Sequence, residues 1–179
     1  ITTSGAGSFT GIAGRDTTIN GALASSGSGD IRIDSGRDLI VNHSIVASGT
    51  GAVDLRARAR NLIASNAGND RNIAITTQSG ALRLEATQGS VLLRRLNPAP
   101  NRNIRVQTQS GPLDIVARTS IQVKGNLGSS WARVRSETGA ITMTASSIDV
   151  IGGAGSNAFA EVVAGAGGRF MAAEQAAAT

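Results

Sequence analysis

Two carboxylates hold matching places in the words Ala13-Gly14-Arg15-Asp16 and Ser35-Gly36-Arg37-Asp38. Paired carboxylates one repeat apart can hold a cation, or act as acid and nucleophile when about 5 Å apart. The same two residues also read as turn positions neutralised by Arg15 and Arg37. His43, the single histidine, stands between Asn42 and Ser44. A metal site needs more ligands than that, so a solvated corner residue is expected, with no metal and no cofactor. Trp131, the single tryptophan, follows Ser129-Ser130. It could stack on a sugar ring, but packing of a loop against the protein's own body is the expected role. Hydroxyls recur at Thr76-Thr77, Thr108 and Ser136, where hydrogen bonding at a chain corner is expected.

The elements that must position these residues are short and repeated. Gly80-Ala81-Leu82-Arg83-Leu84-Glu85-Ala86 alternates apolar and charged residues with period two, the mark of a half-buried strand. The same word begins at Gly29, Gly51, Gly111 and Gly139, and in weaker form at Gly7 and Gly168. The spacings are 22, 22, 29, 31, 28 and 29 residues. Internal repeats of this length indicate a solenoid, a propeller or an array. Propeller blades need about 40 residues and helical repeats need 3.6-residue periodicity, which leaves one coil per repeat.

Each coil holds three strands. A second strand follows the first at Leu39-Ile40-Val41, Leu62-Ile63-Ala64, Val91-Leu92-Leu93 and their equivalents. A third follows at Ile45-Val46-Ala47, Ile73-Ala74-Ile75, Ile104-Arg105-Val106, Ala132-Arg133-Val134 and Ala160-Glu161-Val162. From the third coil on, extra residues separate strands two and three. They predict a ridge of loops along one edge, with Asn97, Pro98 and Asn126 as candidate contacts for a ligand or partner. Ile40, Ile63 and Leu92 form an outward apolar stripe beside that ridge, to be covered by the loops or by another chain.

Inward columns are Ile31, Val53, Leu82, Leu113, Ile141 and Ile33, Leu55, Leu84, Ile115, Met143, with a small-residue column from Ala13 to Ala145. Outward, one column runs Arg32, Asp54, Arg83, Asp114 and its neighbour runs Asp34, Arg56, Glu85. Stacked coils lie about 4.8 Å apart, so these seven charges oppose each other and set the register: a slip by one coil would bring like charges together. The fold expected is all-β: one right-handed parallel β-helix over residues 1–179, about six coils of three short strands.

Composition narrows the function. The chain has 23 Gly, 3 Pro, no Cys and 40% hydrophobic residues. Strict alternation argues against the disorder that low aromatic content would otherwise suggest. The net charge of +5 suits an anionic partner such as an acidic polysaccharide. The charges are dispersed, so no nucleic acid is expected, and no apolar run is long enough for a membrane span. No secretory leader is visible at Ile1. Neither end carries an evident polar cap, and the Ala-rich tail could form a short capping helix. The chain is therefore expected to be a slice of a longer shaft or a subunit that joins others head to tail.

The repeated Gly-x-apolar-x-apolar-x-Ala word and the turns Ala13-Gly14-Arg15-Asp16 and Ser35-Gly36-Arg37-Asp38-Leu39 resemble the repeats of filamentous-haemagglutinin-type bacterial adhesins. The resemblance implies a β-helical shaft at the cell surface or secreted, serving adhesion or a biofilm matrix. The Asn-Pro motifs of that family's secretion domain are not matched; Asn97-Pro98-Ala99-Pro100-Asn101 lies in an insertion. Ser28-Gly29-Asp30 faintly resembles calcium-binding nonapeptide repeats, but the pattern does not recur. The expectation is a non-enzymatic extracellular structural protein, whose partners are other copies of itself or flanking coils, and host or matrix glycans. The alternative is a polysaccharide-binding or polysaccharide-degrading β-helix that uses the loop ridge and Trp131.

Overall fold

The computed structural model describes residues 1–65, 72–94, 103–125, 130–154, 158–166 and 168–174. These residues form a right-handed parallel β-helix of about six coils, with three sheets and no helix among them. The first sheet stacks the strands of the glycine word: β2 (Phe9–Ala13), β5 (Ile31–Ser35), β8 (Val53–Ala57), β11 (Leu82–Ala86), β14 (Leu113–Ala117), β17 (Ile141–Ala145) and β20 (Phe170–Glu174). The second sheet stacks β3 (Thr17–Ile19), β6 (Leu39–Val41), β9 (Leu62–Ala64), β12 (Val91–Arg94), β15 (Ser120–Lys124) and β18 (Ser147–Ile151). The third stacks β1 (Thr2–Gly5), β4 (Leu23–Gly27), β7 (Ile45–Ala47), β10 (Ile73–Thr77), β13 (Ile104–Thr108), β16 (Ala132–Ser136) and β19 (Ala160–Ala164). All pairings are parallel and join residues one coil apart.

The register puts like on like. Ile31, Val53, Leu82, Leu113 and Ile141 are successive Cα partners, as are Ile33, Leu55, Leu84, Ile115 and Met143. All ten are buried, and the three sheets close around them into one continuous core. Each buried aliphatic contributes about 1.5–3 kcal/mol. No coil could form such a core alone, because its apolar side chains need levels above and below them.

The glycine that opens each word has a steric cause. A Cβ on Gly29, Gly51, Gly80, Gly111 or Gly139 would lie closer than 3.0 Å to the carbonyl of the equivalent glycine one coil earlier. Backbones meet there with no room for a side chain. Gly7, in the first coil, has no such neighbour: its nearest contact would be Ser4 O at 3.2 Å.

The structure revises the sequence reading in two places. Leu23–Gly27 is a strand that the alternation did not disclose, because Ala24-Ser25-Ser26-Gly27 offers no apolar period beyond Leu23. The hydroxyls of Thr77, Thr108 and Ser136 do not hydrogen-bond at a corner. They lie inside, on the inward phase set by Ile73 and Ile75, buried and without a partner. Phe170–Glu174 is a strand, as the weaker copy of the word at Gly168 predicts, and the Ala-rich end of the chain lies outside the described residues. Long connections between the second and third sheets begin in the third coil, spanning 65–72, 95–103, 125–131 and 152–159 against 20–22 and 42–44 before it. Asn97, Pro98 and Asn126 lie outside the described residues.

Candidate functional site

The seven charges of the first sheet stand where the register requires. Arg32, Asp54, Arg83 and Asp114 are successive partners, and so are Asp34, Arg56 and Glu85. Contacts follow the register only in part. Arg32 reaches Asp54 at 3.8 Å and Arg56 reaches Glu85 at 3.6 Å. Arg83 turns along its own strand to Glu85 at 3.0 Å.

Asp34 is not the exposed residue that its place in an outward column suggests. It is 3% exposed. Arg58, just past the end of the next strand, donates to both carboxylate oxygens at 2.8 and 2.5 Å. That hydrogen-bonded pair holds the Asp34 carboxyl below its usual range, helped by the nearby charges of Arg58, Arg56 and Arg32 and opposed by burial. A folded-state pKa below the unfolded value stabilises the protein at higher pH, and the contribution is lost as pH falls through the folded value. The urea midpoint should therefore drop below about pH 4, and Asp34→Asn should flatten that part of the profile. Arg58→Ala should destabilise more than Asp34→Asn at pH 7, since it strands a buried carboxylate while the reverse change frees a guanidinium to water. Equal acid profiles for the parent and Asp34→Asn would refute the assignment.

The paired carboxylates Asp16 and Asp38 are engaged in stacking. Asp16 accepts the Asp38 backbone N–H at 3.1 Å, and Asp38 accepts that of Asn61 at 2.8 Å. Arg37 lies 3.3 Å from Asp16 and Arg60 3.7 Å from Asp38. Asn61 extends the ladder by accepting the Ser90 N–H at 2.9 Å. Two further ladders follow the same rule. Ser8 accepts from Asp30 and Asp30 from Ala52. On the third sheet, Ser44 accepts from Ala74, Asn72 from Asn103, and Asn103 from Trp131. In every case a side-chain oxygen caps a backbone N–H one coil later. The sequence signal was present: each of these acceptors directly precedes a strand. Among the described residues no cluster of three or more His, Cys, Asp or Glu is placed to hold a metal ion.

The other candidates separate. His43 is half-buried at the corner, where its Nδ1 accepts the Ser44 N–H at 2.9 Å. Ile40, Ile63 and Leu92 are successive partners on the second sheet, Leu92 buried and the other two half-buried. Trp131 is half-buried at the start of β16. Its ring stacks on Phe159 with centroids 5.8 Å apart and planes 10° from parallel. The Arg133 guanidinium lies 5.0 Å from the Trp131 centroid and 5.5 Å from that of Phe159, and it pairs with Glu161.

Two hollows open on this third sheet. One, of about 200 Å³, is lined by Asn72, Ile73, Ala74, Asn103, Arg105 and Trp131. The other, of about 530 Å³, lies across Val46, Thr76, Gln78, Gln107, Gln109 and Glu137, and Arg105 borders it as well. Glu137 is held by Arg135 at 2.7 Å and by the Gln107 amide at 2.9 Å. These residues are scattered along the sequence: they come from four coils and meet only through the stack. No family model, curated protein or solved structure matches the chain.

Proposed function

We propose that the protein is a structural shaft whose ends accept further coils, either as the continuing stack of one chain or as copies joined head to tail. One observation carries this. Among the described residues, the exposed large apolar side chains are Ile1, Ile12, Val150, Ile151, Phe170 and Met171. Every one belongs to a first or last rung of the stack, and among the described residues the rungs between carry none. The first rung also leaves an apolar hollow of about 280 Å³ lined by Ile1, Phe9, Ile19, Leu23 and Ile33. Edge strands and apolar columns of this kind are completed by adding another strand level. A head-to-tail contact generates an open filament.

The likeness of the glycine word to filamentous-haemagglutinin-type repeats supports an adhesin or matrix setting at the cell surface or outside the cell. Catalysis is not part of the proposal. Side chains that could do acid–base work, Asp16 and Asp38, are spent on capping and ion pairs.

Electron microscopy and sedimentation across a concentration series test assembly. Rods of constant width that lengthen with concentration are expected, and Phe170→Asp, at the last rung, should keep them short. Particles that neither lengthen nor respond to Phe170→Asp would remove the head-to-tail arm. Cleavage of a polysaccharide by the purified chain would overturn the structural reading.

A further inference from the structure

The third sheet has an arginine that the rest of the charge pattern leaves over. Arg105 is exposed, and its Cα partner one coil later is Arg133. Like charges in directly opposed positions repel. Arg133 is neutralised by Glu161, and Arg135 by Glu137. Arg105 makes no ion pair among the described residues, although the first sheet of the same shaft sets each cation beside an acid.

The surroundings of Arg105 are those of a binding site for an anion with a ring. Asn72 and Asn103 each spend their side-chain oxygen on a backbone N–H of the next coil. Their amide N–H groups are thereby fixed as the free ends, with no partner among the described residues. The 200 Å³ hollow is thus lined by Arg105, by the two asparagines and by Trp131. Its remaining lining comes from the two coils before Trp131, so it lies on the side of the indole away from Phe159. An aromatic wall with convergent donors suits a sugar ring bearing a carboxylate: the ring packs on the indole, and the guanidinium takes the carboxylate in bidentate fashion. The wider hollow continues past Arg105 along Thr76, Gln78 and Gln109, neutral hydrogen-bonding groups that fit sugar hydroxyls, and the one carboxylate in its lining, Glu137, is neutralised by Arg135 and held by the Gln107 amide.

We infer that the third-sheet face centred on Arg105 and Trp131 binds acidic saccharides of the uronic-acid class. The inference is independent of whether the ends assemble. Trp131 is the single tryptophan, so its fluorescence reports the site directly. Titration with trigalacturonic acid should give a saturable change that its fully methyl-esterified form does not give. Arg105→Ala should weaken binding at least tenfold, and Arg105→Lys should lose less. Arg118→Ala, an exposed arginine elsewhere, should bind as the parent does, and urea midpoints confirm that the variants are folded. The proposal is overturned by any of three outcomes: no saturable change, equal binding of the ester, or equal losses for Arg118→Ala and Arg105→Ala. Equal affinity for a tri-glutamate peptide would likewise overturn it, since only charge would then be read.

Discussion

Gly80→Ala is expected to destabilise the protein by about 3 kcal/mol or more, although it adds only one methyl group, at a buried position two residues before a strand. The new Cβ would strike the backbone carbonyl of Gly51 and crowd the backbone N of Ala52. Neither is the tip of a flexible side chain that can swing away. Relief requires the two coils to separate locally, and the backbone bonds that tie them there would stretch: Val53 N–H donates to Ala81 O at 2.9 Å, and Ser79 N–H to Gly49 O at 3.2 Å. Gly14→Ala supplies the contrast. A Cβ there meets nothing within 4 Å, so a change of no more than about 1 kcal/mol is expected. Urea denaturation of the two variants tests the argument. Similar midpoints would show that the glycine column reflects something other than the close approach of coils.

Leu84→Ala is expected to cost about 2–5 kcal/mol. Leu84 is fully buried, with Leu55 below it and Ile115 above it in register. Removing its branched end leaves a cavity that these neighbours cannot fill, since each is held to its own rung by the ladder. The loss should spread along the stack, because a rung is stabilised chiefly by its two neighbours. Broadening of the transition, with the two halves of the shaft melting apart, is the expected sign. Ile12→Ala removes a similar side chain that is 74% exposed, and its effect should stay within about 0.5 kcal/mol. Arg83→Ala, on the same strand as Leu84 but half-exposed, removes an ion pair worth about 0.2–1 kcal/mol. A Leu84→Ala effect no larger than that of Arg83→Ala would contradict the continuous core.

The two predictions separate the roles within one seven-residue word. Gly80 sets how close coils come, Leu82 and Leu84 supply the core, and Arg83 and Glu85 contribute little energy but mark register. The same division explains why the candidate acids are poorly placed for chemistry. Asp16, Asp38 and Asp30 precede strands, where the chain turns and a backbone N–H of the next coil needs an acceptor. Once an aspartate caps that donor and pairs with an arginine, its oxygens are committed.

The repeat, the three strands per coil, the inward columns and the partners of the charge columns were legible in the sequence. Each depends on the period-two pleat and a fixed repeat, and both are local properties of the chain. The buried state of Asp34 was not legible. It depends on Arg58 folding back across a neighbouring strand, from a position that alternation assigns to a turn. The internal place of Thr77, Thr108 and Ser136 was hidden because nothing in those residue types says how far a third strand runs. The site at Arg105 was hidden for a deeper reason. Asn72, Arg105 and Trp131 stand far apart in the chain, and none is unusual where it stands. Sequence by itself determined the rung; only stacking decided which side chains of different rungs share a surface, because that proximity is set by the coil-to-coil ladder and not by any segment alone.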